Sequence, residues 1–292
     1  MRRLAVVAMF LVASCGSILA QSHTVSLAFK PGDTYKYKLH VALDYKVGAQ
    51  GLAIPVQLDL TANDTVTVKS IDASGTADIA VGLSDIAIKS TANGTDNSTV
   101  YKDVTVDLKV APDGCIVSVN GSALATGLPD FTGTGSGWVS ALLPDGAVKV
   151  GDTWTKSYDA ANPAGSGTVH VSTANKYVRD EKVGGADTAV IDSKITNNVD
   201  VTFDAASLGS FLPTSSSGNA PTDVQSLGMK GSITTDITSW IDTSGRRLVK
   251  SHSTGSTDAT MTINMATSGA AAPGLTGPVT IKGTQTVDIN PA

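Results

Sequence analysis

The chain has 292 residues and a net charge of −5; 41% of it is apolar, 16% charged and 5% aromatic. That length suits about two domains, and the apolar share supports a packed core rather than a disordered chain. Basic residues form no run beyond Arg2-Arg3 and Arg246-Arg247, which argues against a nucleic-acid partner, since phosphate backbones demand basic stripes. Glu181 is the sole glutamate. The polar vocabulary is Thr, Ser, Asp, Asn and Gly, the residues of strands and turns rather than of helix faces. Composition predicts an all-β protein.

Residues 1–20 read as a signal peptide. Met1-Arg2-Arg3 is a positive start, and the apolar run Leu4 to Ala13 is too short to span a bilayer comfortably. Two processing sites compete. Val12-Ala-Ser-Cys15 fits a lipobox, in which Cys15 would carry diacylglycerol and anchor the chain. Ile18-Leu-Ala20 before Gln21 fits signal-peptidase cleavage, and the apolar run that continues through Ile18-Leu19 favours it. Either route predicts an extracytoplasmic protein, secreted or periplasmic, with membrane contact only through a lipid at Cys15. The other cysteine, Cys115, then has no disulfide partner in the chain and reads as a small residue at a strand start.

Strand patterns follow in order. From Tyr35 to Val47 the odd positions Tyr35, Tyr37, Leu39, Val41, Leu43, Tyr45 and Val47 alternate with polar neighbours, the period of a strand wet on one face. At strand rise the segment extends about 43 Å, so it must twist and curl. Ile54 to Val68 repeats the rhythm. Ala77 to Leu83 does too, and then Ile86 and Ile88 change parity, which predicts a bulge near Ser84-Asp85. Val104 to Val110, a Pro112-Asp-Gly114 turn and Ile116 to Val119 come next. Further alternation centres on Ile195–Phe203, Ile233–Ile241, Met261–Met265 and Val279–Ile289. Half-buried strands joined by short turns predict antiparallel sheet. Helices are few and short: 136–143 and 204–212 each allow about two turns. Asn93 to Thr99 reads as an exposed loop whose Asn93, Asp96 and Asn97 lack regular calcium-ligand spacing.

One phrase recurs. Gly32-Asp33-Thr34-Tyr35 and Gly151-Asp152-Thr153-Trp154 each open a strand series. Later landmarks keep the same order: Gly75-Thr76-Ala77 against Gly185 to Ala189, then Asp113-Gly114 against Asp242 to Gly245. This predicts an internal duplication: a first β unit over 21–143, with a helical linker near 136–143, and a second over 144–292, packed with the first as one domain or standing apart. Glycine suits the positive φ of a tight turn, Asp accepts backbone N–H groups, and the aromatic anchors the strand. The expected architecture is an open barrel or sandwich of long curved antiparallel strands.

Leu142-Leu-Pro-Asp-Gly-Ala-Val-Lys-Val-Gly-Asp-Thr-Trp154, with Gly184-Gly-Ala-Asp-Thr-Ala-Val-Ile191 and Trp240-Ile-Asp-Thr-Ser-Gly245, resembles a family of bacterial exported proteins and lipoproteins with no established activity. The resemblance covers most of 28–265 and implies an envelope or secreted location. In shape, long one-faced strands are also similar to those of periplasmic lipid-carrier lipoproteins, whose open half-barrels hold acyl chains.

Catalytic patterns are missing from the sequence. His23, His40, His170 and His252 have no second ligand at metal spacing, and no Gly-x-Ser-x-Gly elbow or phosphate loop occurs. Gly133 to Gly137 reads as a flexible turn. No cofactor, metal or catalytic residue is expected, and the chain is expected not to be an enzyme. Two functions remain: a module that binds a lipid or other hydrophobic ligand between its sheets, or a structural surface-interaction protein without a ligand. An outer-membrane barrel ranks below both, since aromatic girdles and a terminal aromatic strand are missing.

Overall fold

The computed structural model describes residues 22–49, 51–119, 143–161, 165–204, 224–265 and 277–292. The export segment with Cys15, Ala20 and Gln21, and nearly all of both candidate helices, lie outside these residues. The described chain forms strands β1 (His23–Thr24), β2 (Thr34–Ala49), β3 (Leu52–Ile71), β4 (Ala77–Ala92), β5 (Thr95–Tyr101), β6 (Val104–Val110), β7 (Ile116–Val119) and β8 (Ala147–Val148). The series continues with β9 (Thr153–Ala161), β10 (Gly165–Val183), β11 (Ala186–Asp204), β12 (Val224–Asp242), β13 (Leu248–Met265) and β14 (Pro278–Pro291). Among the described residues there is no helix.

One 12-stranded sheet holds nearly everything, in the order β7-β6-β4-β3-β2-β14-β13-β12-β11-β10-β9, with β5 added on β4. Every pairing is antiparallel. Each half of the chain is a meander, and the first strand of one half pairs with the last strand of the other, β2 with β14, from Thr280 opposite Gly48 to Pro291 opposite Tyr37. The halves therefore share one hydrogen-bonded sheet.

The alternation explains which face turns inward. Tyr37, Leu39 and Val41 of β2, Val66 and Val68 of β3, and Ile79 and Val81 of β4 are all buried, whereas Lys36 and Lys38 between them are exposed. These residues join Tyr177, Ala189, Ile191 and Ile241 from the second half in a single core cluster. A flat sheet could not bring Ile79 and Ile191 into one cluster across so many strands, so the sheet curls on itself. Its margins meet at one end, where Lys156 of β9 bonds Asp113 in the β6–β7 turn at 2.8 Å. No ladder joins β7 to β9 among the described residues, and the barrel stays open.

That end carries both repeated phrases and is closed by the residues just after the expected signal peptide. Val25, Leu27 and Phe29 are buried in the core. The Leu27 amide donates to Pro112 O at 2.8 Å and the Ala28 amide to Arg246 O at 2.8 Å, so this segment straps a turn of the first half to a turn of the second. β1 pairs with β8 beside it.

The parity change at Ser84-Asp85 is a bulge. Pairing jumps from Thr61–Ala87 to Asn63–Ser84, Asp85 takes φ 51°, and its carboxylate accepts Asn63 Nδ2 at 2.7 Å. The bulge also marks where β4 changes its second partner, from β6 to β5.

The expected loop at Asn93–Thr99 is corrected. Asn93 and Gly94, at φ 49° and 78°, form a two-residue turn, and Thr95–Tyr101 is strand β5, exposed throughout. Asn-Gly supplies the two positive φ values that a tight hairpin requires. The strand was hidden because neither of its faces is buried, so no alternation records it.

Candidate functional site: the inner face of the sheet

The repeated phrases are turns, not a site. The Gly32 amide donates to Val68 O at 2.9 Å, the Asp33 amide to Lys30 O at 3.1 Å, and the Val68 amide to Asp33 O at 2.9 Å. At the second phrase Gly151 donates to Tyr177 O at 2.8 Å, Asp152 to Lys149 O at 3.0 Å, and Tyr177 to Asp152 O at 3.0 Å. Both glycines have positive φ, 88° and 97°. The side chains differ: Asp152 accepts the Lys149 amide at 3.0 Å, whereas Asp33 accepts the Tyr35 hydroxyl at 2.8 Å. Thr34 and Thr153 are exposed, and Tyr35 and Trp154 pack half-buried on the core. Burial first, then the bond to Asp33, pushes the Tyr35 hydroxyl up to about 12.

His23, on β1, lies beside Tyr177 with ring centroids 6.3 Å apart, whereas the other three histidines lie on the outer face as paired groups. His40 Nε2 is 2.9 Å from Asp59, His252 Nδ1 is 2.7 Å from Asp288, and His170 Nδ1 is 2.6 Å from Asp159. The sequence left them isolated because each partner sits on a neighbouring strand at long separation. No group of three or more His, Cys, Asp or Glu side chains suited to a metal occurs among the described residues. Cys115 is half-buried; burial and then the Asp113 carboxylate push its thiol up, the reverse of what a reactive thiol requires.

The inner face is where the structure concentrates unusual chemistry, and it divides into three zones. At the closed end lies the core described above. In the first half, away from that end, apolar rows run across the strands: Ile54–Val47–Ile281, Val56–Tyr45 and Leu58–Leu43, each directly paired in register. Ile88 and Tyr101 continue the patch on β4 and β5. Apart from Ile281, which is buried, these side chains are only partly covered. Leu52 is 70% exposed, Tyr101 51% and Ile54 39%. Scattered exposed apolar residues are ordinary, but a contiguous set on one sheet face is not.

The third zone belongs to the second half. Thr173, Asn175, Ser193, Ser239, Ser253 and Thr257 are buried at inward positions, between the closed-end core and a separate apolar cluster of Val169, Val171, Val199, Val201, Phe203 and Met229. Asn175 Nδ2 donates to Thr173 Oγ1 at 3.0 Å and Trp154 O at 3.3 Å. Among the described residues, Asn175 Oδ1, Asn197 Oδ1 and the hydroxyls of Ser193 and Ser239 have no hydrogen-bond partner. Each such buried atom costs about 1–3 kcal/mol, and valine at these positions would remove that cost. Sequence reading missed this belt, because Ser, Thr and Asn within alternating strands look like solvent-facing residues.

Charge is nearly excluded from the same face. Charged side chains at inward register positions include Asp64 opposite Tyr37, Lys156 opposite Thr173 and, past the bulge at the closed end, Asp180 opposite Ala189, which accepts the Tyr177 hydroxyl. Lys156 bonds Asp113 and Asp145, both at 2.8 Å. Burial works against its charge, yet these two bonds prevail and hold its pKa above the usual lysine value.

No protein-family model matches the chain, and no curated protein matches it in sequence. Among solved structures it is similar to one described as lipid–protein interactions in lipovitellin, with a TM-score of 0.40 and 10% identity. The alignment covers 90% of this chain and 26% of that one, about a quarter of the larger protein's length. So shallow a likeness says nothing about what this chain binds.

Proposed function

We propose that this is an exported, extracytoplasmic binding protein that holds a hydrophobic ligand against the inner face of its curled sheet and performs no chemistry on it. The observation that carries the proposal is the half-covered apolar patch of Leu43, Tyr45, Val47, Leu52, Ile54 and Leu58, arranged in register on one concave surface. Covering such side chains yields roughly 25 cal/mol per Å², a driving force that needs no polar anchor. The lining is built mainly from long strands rather than loops, which suits a preformed site. The export pattern at residues 1–20 supports delivery to a compartment where an amphiphile or shed lipid would be met.

The test is direct. Protein purified without detergent is examined by native mass spectrometry and titrated with the neutral dye N-phenyl-1-naphthylamine. The proposal expects saturable dye binding that weakens at least fivefold in Leu52→Asp/Ile54→Asp, with melting temperature nearly unchanged. Absence of dye binding in the unaltered protein, or affinity indifferent to both substitutions, would refute it.

A further inference from the structure

We infer that the ligand is an amphiphile whose polar part is uncharged (a hydroxyl, ester or amide, as in an acylglycerol), and that this part is held by a belt of the buried Asn175, Ser193 and Ser239 and the half-buried Asn197. The inference rests on the apolar-ligand reading above and specifies the chemistry of the ligand's head.

Register places the belt. Asn175 lies directly opposite Ser193, and Ser193 directly opposite Ile237. Ser239 is opposite Ile191, one inward position toward the closed end from Ser193, while Asn197 is opposite Val171 and Ile233, two inward positions the other way. Ser193 and Asn197 are thus about 13 Å apart along one strand. Each of the four offers an unpartnered atom: two amide oxygens, which accept, and two hydroxyls, which donate or accept. Asn175 is 3% exposed, Ser193 4% and Ser239 0%, so this chemistry is not surface decoration.

Charge selects against the alternatives. A carboxylate or phosphate head buried here would need a cation, and Lys156, opposite Thr173 beside the belt, is already committed to Asp113 and Asp145. Hydroxyl, ester and amide groups need only the donors and acceptors that the belt leaves open. The apolar cluster beyond the belt, from Val169 to Met229, and the patch on the first half then face the hydrocarbon.

The experiment compares monoolein with oleate, equal in acyl chain and different in head, by displacement of N-phenyl-1-naphthylamine from the full protein at pH 8. Monoolein should bind at least tenfold more tightly than oleate. In Ser193→Ala/Asn197→Val the preference should fall below threefold while dye affinity stays within twofold; Ser193→Ala alone, the milder change, should show part of the same loss. Circular dichroism melting confirms that each variant is folded. If oleate binds as tightly as monoolein, or if folded variants keep the preference, the belt holds only water and the inference is overturned while the apolar-ligand reading stands. If dye, oleate and monoolein all fail to bind, that reading falls and takes this one with it.

Discussion

The ring of Tyr45 occupies the space that a side chain on Gly283 would need. The two residues are directly opposite on β2 and β14, and a Cβ on Gly283 would collide with the Tyr45 ring and with the Asp44 carbonyl. The ring lies across the junction between the halves, and its hydroxyl donates to Gln285 Oε1 at 3.0 Å. An aromatic laid over a cross-strand glycine restores the packing that glycine lacks. Burial raises the pKa of that hydroxyl.

Gly283→Val is therefore expected to destabilise the fold by about 1–3 kcal/mol through overpacking. Denaturant unfolding measures it. Adding Tyr45→Ala should recover part of the loss, because the ring is one of the groups struck while the Asp44 carbonyl remains; a strictly additive double mutant would contradict the ring contact.

Gly32→Ala and Gly151→Ala should each cost about 1–2 kcal/mol, since an alanine at φ 88° or 97° meets the left-handed penalty. The turns are distinct, so the two losses should add in the double variant. Among the described residues neither substitution has a neighbour to strike, as nothing lies within 4 Å of either added Cβ. Backbone strain is the whole expected effect.

Ile79→Ala should cost about 2–5 kcal/mol, because Ile79 is fully buried in the cluster that both halves share. Val100→Ala, on an exposed strand at 77% accessibility, should change stability by less than about 0.5 kcal/mol. Thermal melts of the pair check whether the shared cluster carries the fold.

Stability should fall as pH rises above about 10. The Tyr35 hydroxyl is pushed up to about 12, and those of Tyr37 and Tyr177 higher still, in each case by burial first. For a group whose folded pKa is raised, the unfolded chain releases its proton first, so its contribution is intact below the unfolded value and lost as pH climbs through the folded one. Lys156, raised by Asp113 and Asp145 against the pull of burial, acts in the same direction. Melting temperature against pH should be flat from 8 to 9.5 and decline beyond; Lys156→Met should remove part of the decline.

The odd–even rhythm by itself determined that the chain is antiparallel sheet, which side chains of β2, β3 and β4 face inward, and that Ser84-Asp85 is irregular. Those properties are local: hydropathy with a period of two needs no knowledge of distant residues. The turn role of Gly32 and Gly151 was legible for the same reason, since it depends on φ at one residue. Only the tertiary structure decided that β14 pairs with β2 and makes the halves one sheet, that Ile79 and Ile191 share a core, and that Asn175 and Ser193 are buried. A serine on an alternating strand looks identical whether its face meets water or another part of the curl. Which it meets depends on cross-strand neighbours, and these, like Tyr45 and Gly283, are separated by most of the chain.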